Sequence, residues 1–135
     1  MGFIRAKVRL LPEADGAEAL DVEALVDTGA TLSLFPRRVL ESLGVRPTGR
    51  GAFRTIEGRS IERDVGPVQM EIQGHRGLGP IPVIFGEEGD TTVVGVTALE
   101  VMGLEVDPVR GELRPTEFLL LSADAGRIVH PEEVV

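Results

Sequence analysis

Asp27 is the residue of this chain whose surroundings best suit acid–base chemistry. It directly follows the apolar residues Leu25 and Val26, and it precedes Thr28 and Gly29, a residue that can turn sharply. A carboxylate is costly to remove from water, so an aspartate at the end of an apolar run needs a physical reason. The reason is either a turn in which the side chain bonds its own backbone, or a carboxylate held ready to move a proton. These residues alone leave both interpretations open.

The elements around Asp27 are predicted to be short strands joined by turns. The strands predicted in this part of the chain are residues 3–11, 20–27 and 31–35. Asp15 and Gly16 form a strong hairpin signal between the first two of them. A helix of about two turns is predicted to begin at Pro36 and to end at Gly44, because proline suits the first helical position and glycine follows the last one. Asp27 is therefore expected where the second strand ends.

The rest of the chain is predicted to continue as hairpins with one more helix. The strands predicted there are residues 52–56, 61–65, 68–72, 81–85, 92–95, 104–107, 112–114 and 118–121. The turn over 57–60 contains Gly58, which can adopt a positive φ, and a glycine-rich turn is predicted over 74–79. A short helix is predicted over 97–102. Residues 1–121 are expected to form one domain, and the polar tail 122–135 is expected to be frayed.

Composition and charge exclude several classes of protein. The chain has 135 residues, a formal net charge of −8, no cysteine and two histidines, with 17 glycines and 9 prolines that favour a mostly β fold with many turns. Without cysteine there is no disulfide framework or thiolate site, and two histidines cannot form a histidine-rich metal site, so no metal or cofactor is expected. The acidic charge argues against nucleic-acid binding. No apolar run has the length of a membrane span, and the charged N-terminus is unlike a signal peptide, so a cytoplasmic location is expected.

Other polar side chains are interpreted as solvated. These are Glu57 in a turn, His75 in the glycine-rich turn, and the hairpin arginines Arg50, Arg54, Arg59 and Arg63.

The order of these features resembles the retropepsin-like aspartic protease family, the class of the retroviral proteases and their cellular relatives. Residues 25–30 match the first family motif, two apolar residues followed by Asp-Thr/Ser-Gly-Ala/Ser, and residues 93–95 match the second, two apolar residues and a glycine before a short helix. The hairpin between them matches the family's flap, and the resemblance covers 3–121. It assigns the catalytic Asp27, the supporting loop residues Thr28, Gly29 and Ala30, the substrate-binding flap residues Thr55, Ile56, Glu57, Gly58, Arg59 and Ser60, and the second motif Val93, Val94 and Gly95.

The resemblance implies a mostly β, closed-barrel-like fold with one or two short helices, and an aspartic endopeptidase that cleaves peptide or protein substrates without a metal. Such chemistry needs two aspartates that share a proton. Since this chain has one motif, the second aspartate must come from an identical partner, and the Thr28 hydroxyl is expected to bond across that homodimer. Gly29 and Gly95 are expected to let two strands pass closely, although Gly95 could simply end a strand.

Alternative interpretations remain open. The main one is a binding or interaction module that keeps the fold but hydrolyses nothing; the intact motif at Asp27 favours the enzyme, because a structural role does not need the aspartate. A small carrier protein has no positive support in the sequence. Phe3, Ile4 and the apolar run 118–121 either build the dimer interface or pack within one subunit.

Overall fold

A computed structural model of the chain describes residues 4–118. Its strands are β1 (Arg5–Leu10), β2 (Leu20–Val26), β3 (Ser33–Pro36), β4 (Gly49–Arg54), β5 (Ser60–Val68), β6 (Met70–Ile72), β7 (His75–Arg76), β8 (Ile81–Gly86), β9 (Val93–Val94), β10 (Leu104–Asp107) and β11 (Glu112–Pro115), and its helices are α1 (Arg37–Ser42) and α2 (Val96–Met102). The prediction of a mostly β fold with two short helices is confirmed. Phe118 belongs to no strand, and 119–121 and the predicted tail lie outside the described residues.

Nine strands form one sheet, in the order β4-β5-β8-β3-β9-β2-β1-β6-β7, and β10 pairs with β11. Two neighbouring pairs are parallel, β2 with β9 and β3 with β8. Parallel neighbours cannot be joined by a tight hairpin, so distant parts of the chain must return to the same place. The two predicted motifs consequently meet, because β2 leads into Asp27 and β9 leads into Gly95.

The core lies on one face of the strands. In β1, Ala6, Val8 and Leu10 are buried while the alternating basic residues face solvent, which is the period of two expected of a strand with one buried face. Phe35 of β3 and Phe85 of β8 are both fully buried and directly opposite each other in register. Burying a side chain of this size contributes roughly 1.5–3 kcal/mol, so the aromatic pair anchors the centre of the sheet.

The ends of the elements follow the local sequence signals, with one difference. Helix α1 starts directly after Pro36, and α2 ends at Gly103, whose φ of 67° is left-handed. The predicted glycine-rich turn instead begins as a hairpin, because Gln73 and Gly74 both have positive φ and connect β6 to β7 as a two-residue turn. His75 therefore lies on a short strand. Neither helix of residues 4–118 is long and apolar enough to cross a membrane.

Candidate active site

Asp27 lies immediately beyond β2, where the chain leaves the sheet. Its backbone N–H donates a 2.9 Å hydrogen bond to the carbonyl of Val94, which extends the parallel pairing of β2 with β9. Its carbonyl accepts a 3.1 Å hydrogen bond from the N–H of Ala30, so residues 27–30 form a closed turn. The side chain is exposed. The backbone of Asp27 is thus held by the sheet while the carboxylate is accessible to solvent.

The carboxylate of Asp27 is oriented by its own turn. The N–H of Gly29 donates to its Oδ1 at 2.9 Å, which is the local side-chain bond typical of turn aspartates. A Cβ atom on Gly29 would lie 3.2 Å from that oxygen. Gly29 therefore leaves room beside the carboxylate, and the expectation that it lets two strands approach does not hold. The turn interpretation of Asp27 and its availability for acid–base chemistry coexist in one geometry.

Gly95 is the place where two segments of backbone pass closely. A Cβ atom there would lie 2.7 Å from the carbonyl oxygen of Ala30 and 2.7 Å from the carbonyl carbon and oxygen of Leu32. The residue has an extended backbone, with φ −94° and ψ 174°, so glycine is needed for space and not for its conformational freedom. The close approach predicted for Gly95 is present, and a simple strand-end turn does not account for it.

Helix α2 continues this contact with the Asp27 loop. The N–H of Val96 donates to the carbonyl of Ala30 at 2.8 Å, and the N–H of Thr97 donates to Thr31 at 3.1 Å. The first N–H groups of a helix have no acceptor within the helix, and here the loop supplies acceptors for them. The second motif and the start of α2 together fix the loop from behind.

Ser33 is a further member of this site that the sequence analysis did not single out. Its side chain is 1% exposed, and its Oγ accepts a 3.0 Å hydrogen bond from the N–H of Gly95. A buried N–H without an acceptor is costly, so this hydroxyl satisfies the group that lies at the closest approach of the two motifs. The sequence did offer a signal for this role, since Ser33 is the single hydroxyl residue within the otherwise apolar run 32–35.

The hairpin predicted around Glu57 is present, since β4 and β5 pair from Gly49 to Arg54 with a turn over 55–59. Hydrogen bonds from its own backbone N–H and from the Thr55 side chain lower the pKa of Glu57, as does the nearby Arg59. Ile56 at the tip is 100% exposed. Among residues 4–118, the hydrogen bonds of the tip remain within the hairpin, so they do not connect it to Asp27.

Thr28 is one of the residues that line a groove next to the loop. The groove has a volume of about 560 Å³ and is bordered by α2, by β10 and by Phe118, whose side chain is 56% exposed. Its apolar lining residues are Val96, Leu99, Leu104, Val106 and Phe118. Glu100, Glu105 and Glu117 line the groove as well, so a surface of apolar and acidic residues lies next to the Asp27 loop.

The hairpin arginines differ in their surroundings. Arg50 is 56% exposed, as expected of a solvated face, but Arg63 is only 19% exposed and contacts Asp90 at 2.8 Å. The prediction that Arg63 is solvated is therefore wrong, because its side chain is largely buried against Asp90. Asp90 is far from Arg63 in the sequence, so the local sequence did not indicate this contact. Within residues 4–118, no group of three or more histidine, aspartate or glutamate side chains converges as a metal site would.

Parts of this chain are similar in sequence to known proteins. A family profile described as "Aspartyl protease" matches residues 13–97, more than half of the chain. The chain is 31% identical over 114 residues to a polyribonucleotide nucleotidyltransferase of Salinispora arenicola (strain CNS-205), a match that covers 70% of this chain and 14% of that protein. The chain thus spans a small part of that relative's length.

Two solved structures of proteases are similar to the structure of this chain. The EIAV protease, solved with an inhibitor, has a TM-score of 0.57 and 18% identity, and the match covers 78% of this chain and 93% of that one. A retropepsin-like aspartic protease of Rickettsia conorii has a TM-score of 0.44 and 18% identity, covering 79% of this chain and 94% of that one. The similarity to the EIAV protease shows a common fold.

Proposed function

This chain belongs to the aspartyl protease family, and from that premise we propose that it is an aspartic endopeptidase whose active unit is a homodimer. Each subunit supplies one Asp27 to a shared site that hydrolyses peptide or protein substrates in the cytoplasm. The observation that carries the proposal is the support of Asp27. Its backbone is bonded to Val94 and its carboxylate to the N–H of Gly29, while the side chain stays accessible.

The mechanism needs two carboxylates that share one proton. At a separation of about 3 Å two like charges cannot both remain ionised, so the pair holds a proton between them. The ionised carboxylate takes a proton from a water molecule, whose oxygen attacks the scissile carbonyl carbon, and the protonated carboxyl donates its proton to the carbonyl oxygen, which gives a tetrahedral intermediate with two hydroxyl groups. The carboxylate that has become ionised then takes the proton of one hydroxyl as the C=O bond re-forms. The C–N bond breaks and the other carboxyl donates its proton to the leaving nitrogen, so the pair again holds one proton. The sequence contains one Asp-Thr-Gly, and a two-fold axis beside Asp27 provides the second.

The surface around the loop suits this arrangement. Asp27 and Thr28 are both exposed, and the groove lined by Thr28 also includes Phe118. In the proposed dimer the Thr28 hydroxyl bonds across the axis and joins the two loops. The exposed side chain of Phe118 in this groove is then covered by the partner, which removes apolar surface from water and stabilises the dimer.

In the same proposal the tip of the β4–β5 hairpin, residues 55–60, is a flap over the substrate. Ile56 is an apolar side chain with no cover in the free chain, and a bound peptide would shield it. Glu57 lies in the same turn, where hydrogen bonds favour its ionised form by lowering its pKa.

A non-catalytic binding module is the second candidate. The bond from Gly29 to Asp27 Oδ1 favours it, since it gives the aspartate a structural role in the turn. The variant Asp27→Asn separates the two candidates, because the amide oxygen of asparagine can still accept this bond while the proton chemistry is lost. If the protein is a binding module, the Asp27→Asn variant should still bind peptides. If it is an endopeptidase, the variant should no longer hydrolyse them.

Subunit mixing tests the shared site. Wild-type protein is allowed to exchange with an excess of Asp27→Asn chains that carry a mass tag, and mixed dimers are followed by native mass spectrometry. Hydrolysis should fall as mixed dimers replace wild-type pairs, because each mixed dimer has one aspartate. Chains of Asp15→Asn, which keep Asp27, serve as the control and should leave activity unchanged. Undiminished activity after demonstrated exchange with Asp27→Asn would exclude a site built from two subunits.

A further inference from the structure

Charged side chains connect the base of the β4–β5 hairpin to the loop that follows β8. The guanidinium of Arg63 donates to both carboxylate oxygens of Asp90, at 2.8 and 3.1 Å. With side chains 19% and 17% exposed, this is the least exposed ion pair of residues 4–118. Asp90 also accepts the N–H of Glu87 at 2.8 Å. One carboxylate therefore both closes the loop 87–90 and holds β5.

The next residue of β5 makes a second connection. Asp64 accepts hydrogen bonds from Arg37 of α1 at 2.7 Å and from Arg50 of β4 at 3.0 Å. Arg37 also contacts Glu87 at 3.0 Å, and its guanidinium lies 5.2 Å from the centre of the Phe85 ring. Arg37, Arg63, Asp64, Glu87 and Asp90 together are called the clamp below.

The clamp lies where the hairpin leaves the sheet. Strand β5 pairs with β8 from Val65 to Val68, but from Ser60 to Asp64 it pairs with β4. From Asp64 to its tip, the hairpin therefore consists of β4 and β5 alone and forms a two-stranded arm. Two such strands are only marginally stable by themselves. The side chains of the clamp attach this arm at its first residues.

The other end of the clamp leads to the Asp27 loop. Asp90 is followed within a few residues by β9, whose Val94 accepts the N–H of Asp27. The two-pronged contact of a guanidinium with a carboxylate is directional. The position of the hairpin arm is thus tied to the segment that supports the Asp27 loop.

We propose that the clamp positions the hairpin arm over the Asp27 loop, and so sets the affinity for a peptide substrate without taking part in proton transfer. The inference rests on the proposed role of residues 55–60 as a flap. The residues of the clamp are positioning residues, since within residues 4–118 no hydrogen bond or ion pair joins their side chains to Asp27 or Gly95. The hydrogen bond from Arg63 lowers the pKa of Asp90, which favours the ionised form of the carboxylate that this contact uses.

The test compares Asp90→Asn, Arg63→Lys and the double variant with wild type. Asp90→Asn keeps an oxygen for the N–H of Glu87, and Arg63→Lys keeps the charge but loses the two-pronged contact. Hydrolysis of fluorescein-labelled casein should show KM raised by about fivefold with kcat nearly unchanged, and the double variant should resemble the single ones, as neighbours that share one interaction do. Arg9→Gln, which removes an exposed ion pair with Asp21 on β2, is the matched control.

Hydrogen exchange provides a readout that needs no catalysis. In the free protein, amides of residues 55–60 should exchange faster in Asp90→Asn and Arg63→Lys than in wild type and in Arg9→Gln. If wild type hydrolyses nothing, the proposed function fails while this measurement still tests the clamp. Unchanged exchange in both clamp variants would overturn the inference, and so would a kcat that falls as much as kcat/KM. If Asp90→Asn does not fold, Arg63→Lys alone gives the result.

Discussion

The backbone N–H of Asp27 and the carbonyl of Val94 are joined by a 2.9 Å hydrogen bond. This bond connects two motifs that are far apart in the sequence, and it makes the second one the support of the first. The chemistry proposed for Asp27 therefore depends on a strand that is remote from it in the sequence. The predictions below test the carboxylate and its support separately.

Asp27→Asn should abolish hydrolysis while the protein remains folded. The substitution removes the shared proton and the base, which typically contribute about 10²–10⁴-fold in rate, but it retains an acceptor for the N–H of Gly29. Enzyme kinetics of the variant should show a large loss of kcat/KM, whereas its melting temperature should differ little from that of wild type. Asp15→Asn, at an exposed turn, is the control and should keep full activity. A fully active Asp27→Asn protein would rule out Asp27 as a catalytic residue.

Gly95→Ala should destabilise the protein and reduce activity. The added Cβ would lie 2.7 Å from backbone atoms of Ala30 and Leu32, and overpacking of this kind costs about 1–3 kcal/mol. Urea denaturation measures the loss of unfolding free energy. Gly79→Ala, where a Cβ would meet no atom within 4 Å, should be close to wild type. Equal stability of the two variants would contradict the close approach.

Ser33→Ala should cost about 1–3 kcal/mol of unfolding free energy, because it leaves the buried N–H of Gly95 without an acceptor. Activity should fall as well, since this N–H belongs to the support of the Asp27 loop. Ser42→Ala removes an exposed hydroxyl and should be nearly neutral in chemical denaturation. If Ser33→Ala and Ser42→Ala have the same free energy of unfolding, the hydrogen bond from Gly95 to Ser33 does not contribute to stability.

Stability should decline in acid because of the clamp carboxylates. Hydrogen bonds from Arg63, and from Arg37 and Arg50, lower the pKa of Asp90 and Asp64 respectively. A carboxyl whose pKa is lower in the folded state than its unfolded value of about 3.9 adds stability that is present above that value. This stability is lost as the pH falls through the folded pKa. The melting temperature should therefore be level down to about pH 5 and fall below about pH 4.

The Asp90→Asn protein should melt earlier than wild type at neutral pH, and its decline in acid should be smaller, so that the two curves converge. Asp15→Asn should follow wild type throughout. Parallel curves for Asp90→Asn and wild type would show that Asp90 has no lowered pKa.

Hydrolysis should be fastest at acidic pH and insensitive to chelators. The paired carboxylates must hold one proton, and coupled groups lose their protons in two separate macroscopic steps. A pH–rate profile of kcat/KM should therefore be bell-shaped on the acid side of neutrality. A rate that rises steadily into the alkaline range, or that is lost in EDTA, would contradict the mechanism.

Local signals in the sequence were sufficient for most elements. Pro36 and Gly103 mark helix ends for stereochemical reasons, and Asp15 with Gly16 marks a turn, so each could be recognised from adjacent residues. The residues of the Asp27 loop could be recognised in the same way. Their assignment to catalysis remains a prediction.

Contacts between distant residues could not be predicted. Nothing near Arg63 indicates that Asp90 lies beside it, so a side chain expected in solvent is largely buried. Ser33 looks like an ordinary strand residue until Gly95 is brought against it. The short strand at His75 was missed because two residues are too few to show a period.

The parallel pairing of β2 with β9 has a consequence for synthesis of the chain on the ribosome. Leu25 and Val26 pair with Val93 and Val94, so the first partners are made long before the second ones. Translation proceeds at about 5–20 residues per second, and contacts between remote segments form late in folding. During those seconds the nascent chain carries the Asp27 turn without the hydrogen bonds from β9 and α2 that support it. A polypeptide released before Val93 therefore lacks the strand that supports the Asp27 loop, and this support is completed only after residues 93–97 have been made.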